Sequence, residues 1–224
     1  VNQPPPVTVT PPVVTPPVVV TPPAPTPTTT FPPNDPRFDL TFYRQLVHNA
    51  FEGPVYALSR FSQAPRIYLR TIDEDGKAID TRMLDDTARA LEESAGEMTG
   101  KFGLAGLERG TGSHLRERGW LTVRWLPQAL NDRRLCGQAN VGVEGGSLDL
   151  FPYQANCGCE RYGMAPRIVR HELGHALGFW HTDRGDDLMY GQAWDIKFCN
   201  AGMSAREKYH AAVAYDQPIG TRAP

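Results

Sequence analysis

The chain of 224 residues has no apolar run of 18 or more, which excludes a membrane-spanning helix. It has no basic stretch leading into an apolar core either, which excludes an intact export signal. Charge of neither sign dominates, with 23 Lys and Arg against 25 Asp and Glu. Nucleic acid or an anionic membrane surface calls for a strong basic bias, so neither is an expected partner. Cysteine is scarce, at four, and no two are spaced as CxxC, so a zinc site built on thiolates is excluded as well. Basic residues are missing altogether from positions 1–36, where a single acid, Asp35, stands among 14 of the 21 prolines, eight threonines and eight valines.

Proline fixes φ and lacks an amide proton, so residues 1–36 cannot sustain helix or sheet ladders and are expected to form an extended Pro/Thr-rich linker, a disordered spacer or stalk. The sequence starts at Val1 rather than at a methionine, and an export signal upstream is expected. Residues 37–224 suffice for one domain with its own core, and no internal repeat is visible in them.

What the chain does have is the stretch from His171 to His181, His-Glu-Leu-Gly-His-Ala-Leu-Gly-Phe-Trp-His. His171 and His175 are four apart, so on a helix both imidazoles project from one face toward a single point. Glu172 is rotated from His171 by about 100°, beside the ligand face, where its carboxylate can reach a water without binding metal itself. Gly178 suits a left-handed helix end, after which the chain turns sharply and returns His181 to the same point. Three protein ligands leave a fourth tetrahedral position open, the mark of a catalytic rather than a structural zinc site. The five fixed positions coincide by chance in about one chain in a hundred thousand of this length.

At these residues the chain resembles the metzincin clan of zinc endopeptidases, whose pattern HExxHxxGxxH is met at His171, Glu172, His175, Gly178 and His181. The clan also carries a methionine in a tight turn beneath the metal. Met189, eight residues after His181, fits that turn at a spacing similar to the matrixin branch. Three departures are visible. Tyr190-Gly191-Gln192 replaces the proline and tyrosine that follow the Met-turn in matrixins, Gly191 stands where astacins have a further tyrosine ligand, and Thr182 stands where adamalysins have an aspartate. Two roles are open to Tyr190, polarising substrate or packing. Two are open to Asp183, orienting a ligand imidazole or lying solvated in a loop.

The resemblance implies an α+β, metzincin-like zincin fold: a twisted mixed sheet of about four to five strands, an active-site helix and a C-terminal helix. Local signals agree in order. Asp39 can cap a helix to about Ala50, and Arg66–Ile72 alternates as a strand. Asp85 or Asp86 opens a helix to about Gly100. Strands follow at Trp120–Leu126, around Gln138–Val143, and at Ser147–Phe151. Pro166 suits the first turn of the metal-binding helix, and Ser204 with Glu207 forms a capping box for a last helix to about Tyr215.

In matrixins the strand before the active helix is a sheet edge that pairs with substrate. That assigns substrate binding to Ser147, Leu148, Asp149 and Leu150, with Tyr190; the alternative is an ordinary paired strand. Asp73, Glu74 and Asp75 lack the spaced oxygens of a calcium loop and are read as a solvated turn, leaving calcium unsupported. Asp35 and Asp39 read as linker and helix-cap residues rather than as latency ligands.

A bond between Cys157 and Cys159 across Gly158 would be strained, so each is expected to reach Cys136 or Cys199; Cys136–Cys157 with Cys159–Cys199 is the favoured pairing. Two disulfides point to an exported, secreted or cell-envelope-exposed protein. The expected whole is a monomeric zinc endopeptidase with one catalytic ion, hydrolysing extended peptides or proteins by zinc-activated water with Glu172 as general base. The alternative is a non-catalytic zinc-containing binding or adhesion module on a Pro-rich stalk. Glu172 separates the two, because only catalysis needs it.

Overall fold

The computed structural model describes residues 35–55, 57–127, 135–152, 157–159, 163–191 and 199–224. Nearly all of the Pro/Thr linker lies outside them. Among the described residues, four helices and five strands follow in the order α1 (Leu40–His48), β1 (Arg66–Arg70), α2 (Thr81–Thr99), β2 (Gly106–Gly110), β3 (Trp120–Trp125), β4 (Gly137–Ala139), β5 (Ser147–Leu150), α3 (Pro166–Ala176) and α4 (Ala205–Asp216). No helix among the described residues is long and apolar enough to cross a membrane.

The strands form one mixed sheet in the order β2-β1-β3-β5-β4. β1 runs parallel to β2 and β3, β3 runs parallel to β5, and β4 alone is antiparallel, at the edge beside β5. Register aligns Leu69, Val123, Leu148 and Ala139 in one row and Trp125, Leu150 and Gly137 in the next. Successive residues of a strand face opposite ways, so these apolar rows share a face. Leu69, Val123, Trp125, Leu148 and Leu150 are fully buried there, and Trp125 satisfies its indole N–H on Arg70 O at 2.7 Å. α3 lies against β4 and β5, and α2 packs on α3 and α4. This is the sheet-and-helix arrangement that the sequence led us to expect.

Two boundaries and one strand differ from expectation. α2 starts at Thr81, because Asp80 and not Asp85 or Asp86 caps it, accepting from Met83 N. β2, of sequence GLERG, has too little apolar alternation to be read as a strand and is recruited by parallel pairing with β1. β4 stops at Ala139, short of Val143, because the chain then enters the turn that ends at Gly145-Gly146.

The assignment of Ser147, Leu148, Asp149 and Leu150 to substrate binding is corrected by the topology. β5 is paired on both sides, by β3 and β4, and all four residues are buried. Its main-chain groups are spent inside the sheet, and Asp149 is held by the Arg124 fork at 2.7–2.8 Å and by Gln138 Nε2 at 3.2 Å. The edge belongs to β4. The acids after β1 form a turn, with Glu74 and Asp75 exposed as expected but Asp73 buried, where its Oδ1 accepts from Asp75 N and Lys77 N.

α1 is tied to α4 by a hydrogen bond that constrains protonation. Asp39 caps α1 through Phe42 N, and its own N–H donates to His210 Nε2 at 2.8 Å. Accepting there leaves the His210 proton on Nδ1, which donates to Arg206 O at 2.8 Å. His210 is fully buried, against Phe38 and Phe42, and burial holds its pKa below the ordinary 6.5. The native state therefore resists a proton that the unfolded chain accepts, so this contribution to stability is present above pH 6.5 and is lost as pH falls below it. Urea unfolding of the metal-free protein at pH 7.5 and 5.0 should show a smaller acid-induced loss for His210→Gln than for the parent.

Candidate metal centre

Pro166 occupies the first turn of α3, where a missing N–H costs nothing and its fixed φ suits the helix. Even the arginines of this helix are buried, so each is bonded. Arg167 donates to Asp187 O at 2.6 Å, and Arg170 reaches Ser94 Oγ, Glu93 and Asn200. These contacts clamp α3 to α2 and to the two segments that follow it. The helix ends at Ala176, and Gly178 takes φ +111°, where an added Cβ would run into Ser59 O. The turn expected of Gly178 is there, and it delivers His181 to the face that carries His171 and His175.

His181 Nε2 lies 3.3 Å from His171 Nε2 and 3.1 Å from His175 Nε2. The far nitrogens of the three rings all face acceptors: His171 Nδ1 meets Leu188 O at 2.7 Å, His175 Nδ1 meets Phe179 O at 2.7 Å, and His181 Nδ1 meets Glu52 Oε1 at 2.8 Å. Carbonyl and carboxylate oxygens only accept, so each imidazole carries its proton on Nδ1. Three Nε2 lone pairs therefore converge with no proton between them, an arrangement that favours a cation at their centre. A tetrahedral zinc ion with Zn–N bonds of 2.0–2.1 Å sets its nitrogens about 3.3–3.4 Å apart, close to the two distances from His181, and all three ligand atoms lie within 4.8 Å of one another. The three histidines fit such an ion. Burial also disfavours the charged form of the two helical rings, holding His171 down to about 4 and His175 well below its ordinary value.

Glu172 lies beside this cluster, buried, with Oε2 bonded to no protein group. Burial, with Asp149 adding to it, pushes its carboxyl up to about 8, a group ready to hold a proton. Its room comes from the edge strand. A Cβ on Gly137 would stand 2.5–2.8 Å from Glu172 Cγ, Cδ and Oε1, so with any other residue there the Glu172 side chain would have to shift.

Met189 is fully buried under α3, its Sδ filling the gap left by Gly174 between the two helical histidines. Gly191 plays the same part behind the third ligand, since a Cβ there would stand 2.7 Å from His181 Cγ and Nδ1. Tyr190 is half-buried and bridges to Thr182, while Asp183 is exposed. The carboxylate on the His181 ring is Glu52, whose 129-residue separation left no trace in the sequence pattern. Gly137, Gly174 and Gly191 were also missed, since an isolated glycine does not announce which side chain it clears.

The last helix holds the methionine turn from below. Ser204 and Glu207 form the expected capping box, and the Glu207 carboxylate also accepts from Leu188 N at 2.9 Å and Met189 N at 2.8 Å. Leu188 O is the acceptor for His171, so α4 reaches a candidate ligand through one peptide unit. Beside it, buried Asp187 collects Thr182 Oγ1, Ser204 Oγ and Arg206 Nη2. The disulfides are Cys136–Cys157 and Cys159–Cys199, the favoured pairing, and they join the start of β4 and the chain beyond the methionine turn to the segment before α3.

No protein-family model and no curated protein sequence matches the chain. Among solved structures, the chain is similar to metalloproteinase-II from Bacteroides fragilis, with 14% sequence identity and a TM-score of 0.41. The match covers 79% of this chain and 60% of that one.

Truncating Glu207 to Ala would strand three amides, those of buried Leu188 and Met189 and of half-buried Ser204. At 1–3 kcal/mol for each unsatisfied group, a loss of about 3 kcal/mol or more is expected. Urea unfolding of metal-free Glu207→Ala measures it, and Glu207→Gln, which keeps an acceptor oxygen, should lose less.

Proposed function

We propose that this chain is a zinc-dependent endopeptidase of the metzincin kind, exported and acting on extended peptides or proteins. The observation that carries the reading is the convergence of three unprotonated Nε2 atoms beside a buried glutamate whose Oε2 has no protein partner. His171, His175 and His181 would hold the ion. When bound, zinc supplies a Lewis acid for a carbonyl oxygen and lowers the pKa of water to about 7.

The protein's own groups do the rest. Glu172 takes the proton of the attacking water at Oε2 and passes it to the nitrogen of the leaving amine, as a general base that becomes a general acid. Burial alone would keep the carboxyl protonated; the positive charge of a bound zinc would favour the carboxylate form that accepts this proton. Gly137 keeps the carboxylate in line by giving way to it. The outer edge of β4 supports an extended substrate: among the described residues β5 is its one neighbour, so its remaining main-chain groups can pair with an added strand. Met189 and the Glu207 brace hold the helical ligands from beneath. Two disulfides suit an oxidising compartment and agree with export. A module that only binds gives no reason for a buried, unpaired Glu172.

Zinc-loaded protein should cut casein into fragments, and a chelator should stop it. Glu172→Ala should lose 10²-fold or more of the turnover, in line with general-base catalysis of about 10²–10⁴-fold, while binding zinc as the parent does. Unchanged cleavage by that variant would refute the role given to Glu172. Gly137→Ala tests the fit from the other side. Glu172 can swing away from the new methyl, so the fold and zinc affinity should hold while kcat falls by about tenfold or more.

A further inference from the structure

His171 and His175 are fixed twice over, by the backbone of α3 and by carbonyls that accept from their Nδ1 atoms. His181 has no helix to aim it. It follows the glycine turn in irregular chain, with a quarter of its side chain exposed, at 23%. Glycine at position 191 lets the chain pass close behind its ring, where a Cβ would stand 2.7 Å from Cγ and Nδ1, but brings no side chain that could bond the imidazole. The donor set is therefore only as well arranged as whatever fixes this third ring.

Two contacts from the N-terminal part of the domain do so. Trp180 N donates to Leu46 O at 2.7 Å, which pins the backbone next to His181 to the last turn of α1. The Glu52 carboxylate then accepts from His181 Nδ1 at 2.8 Å. Glu52 is itself held by a loop closed at both ends. Asn49 leaves α1 in the left-handed conformation, its Nδ2 donates to Gly53 O at 2.8 Å and its O accepts from Gly53 N at 3.0 Å, while Val55 N returns to His48 O at 2.9 Å. A carboxylate fixed in this way sets both the tautomer and the tilt of the ring. It also makes the opposite nitrogen a stronger donor, because negative charge at Nδ1–H offsets the positive charge that the imidazole gains on binding a cation.

We infer that Glu52 is the positioning residue of the third metal ligand, orienting His181 and strengthening its Nε2 as a donor, so that metal retention depends on a loop 129 residues away in sequence. The inference rests on the zinc reading of the three histidines. It also explains why a side chain 48% exposed is spent on an interaction that contributes little to folding, since a carboxylate this open to water gains little from an ordinary surface contact.

Zinc affinity measured by competition with a chelator of known strength at one fixed pH tests it, using the full chain as parent, Glu52→Ala and Glu52→Gln. Removing a carboxylate behind a ligand histidine costs about 10- to 100-fold in metal affinity. That loss is expected for Glu52→Ala, with Glu52→Gln, which keeps an acceptor but no charge, falling between it and the parent. Urea midpoints of the three metal-free proteins should coincide, which a merely structural role for the loop would not give. Equal zinc affinity in Glu52→Ala and parent overturns the inference and leaves the metal centre standing. So does a metal-free midpoint that falls in step with the affinity, which would make Glu52 a loop support. A parent that takes up no zinc overturns the metal centre itself, and the role of Glu52 with it.

Discussion

The arrangement depends on where three protons sit. An imidazole can offer one nitrogen to a cation only if the other keeps the proton, and that N–H needs an acceptor wherever water is kept out. The fold provides three. Leu188 O comes from the methionine turn, Phe179 O from the exit of α3, and Glu52 from the loop after α1. Segments far apart in the chain therefore have to arrive together before His171, His175 and His181 become a set of donors. Burial works in the same direction, because it disfavours the charged form of His171 and His175.

Much of the remaining structure supports those acceptors. β4 and β5 lie beneath α3, and buried Arg167 and Arg170 bolt the helix to Asp187, Ser94 and Asn200. Glu207 grips the amides of Leu188 and Met189, so the carbonyl that accepts from His171 is fixed by α4. Glycine marks each point where two elements have to touch. Gly137 clears Glu172, Gly174 clears Met189, and Gly191 clears the His181 ring. The disulfides secure the approaches, tying β4 and the chain beyond the methionine turn to the segment that leads into α3.

Local features of the sequence were legible because their physics is local. The i,i+4 histidines, the Gly178 turn, the Asp39 cap, the Ser204–Glu207 box and the strand of β3 each declare themselves within a few residues. Relations between distant elements were not. Nothing within Ser147–Leu150 says whether it is an edge or an interior strand, because the answer lies in β4 folding back antiparallel beside it. Glu52 reads as a surface acid until α1 brings it to His181. Glu207 was visible as a cap, but its second task, holding Leu188 and Met189, is tertiary. β2 was lost for a different reason: its short, glycine-bounded sequence has little strand preference, and pairing with β1 supplies the difference.

X-ray absorption at the zinc edge, on protein loaded with one equivalent of the metal, tests the central claim most directly. The account predicts three imidazole nitrogens at about 2.0–2.1 Å and no sulfur, since all four cysteines are in disulfides. Zinc coordinated by sulfur, by fewer than three imidazoles, or not retained at all would contradict it.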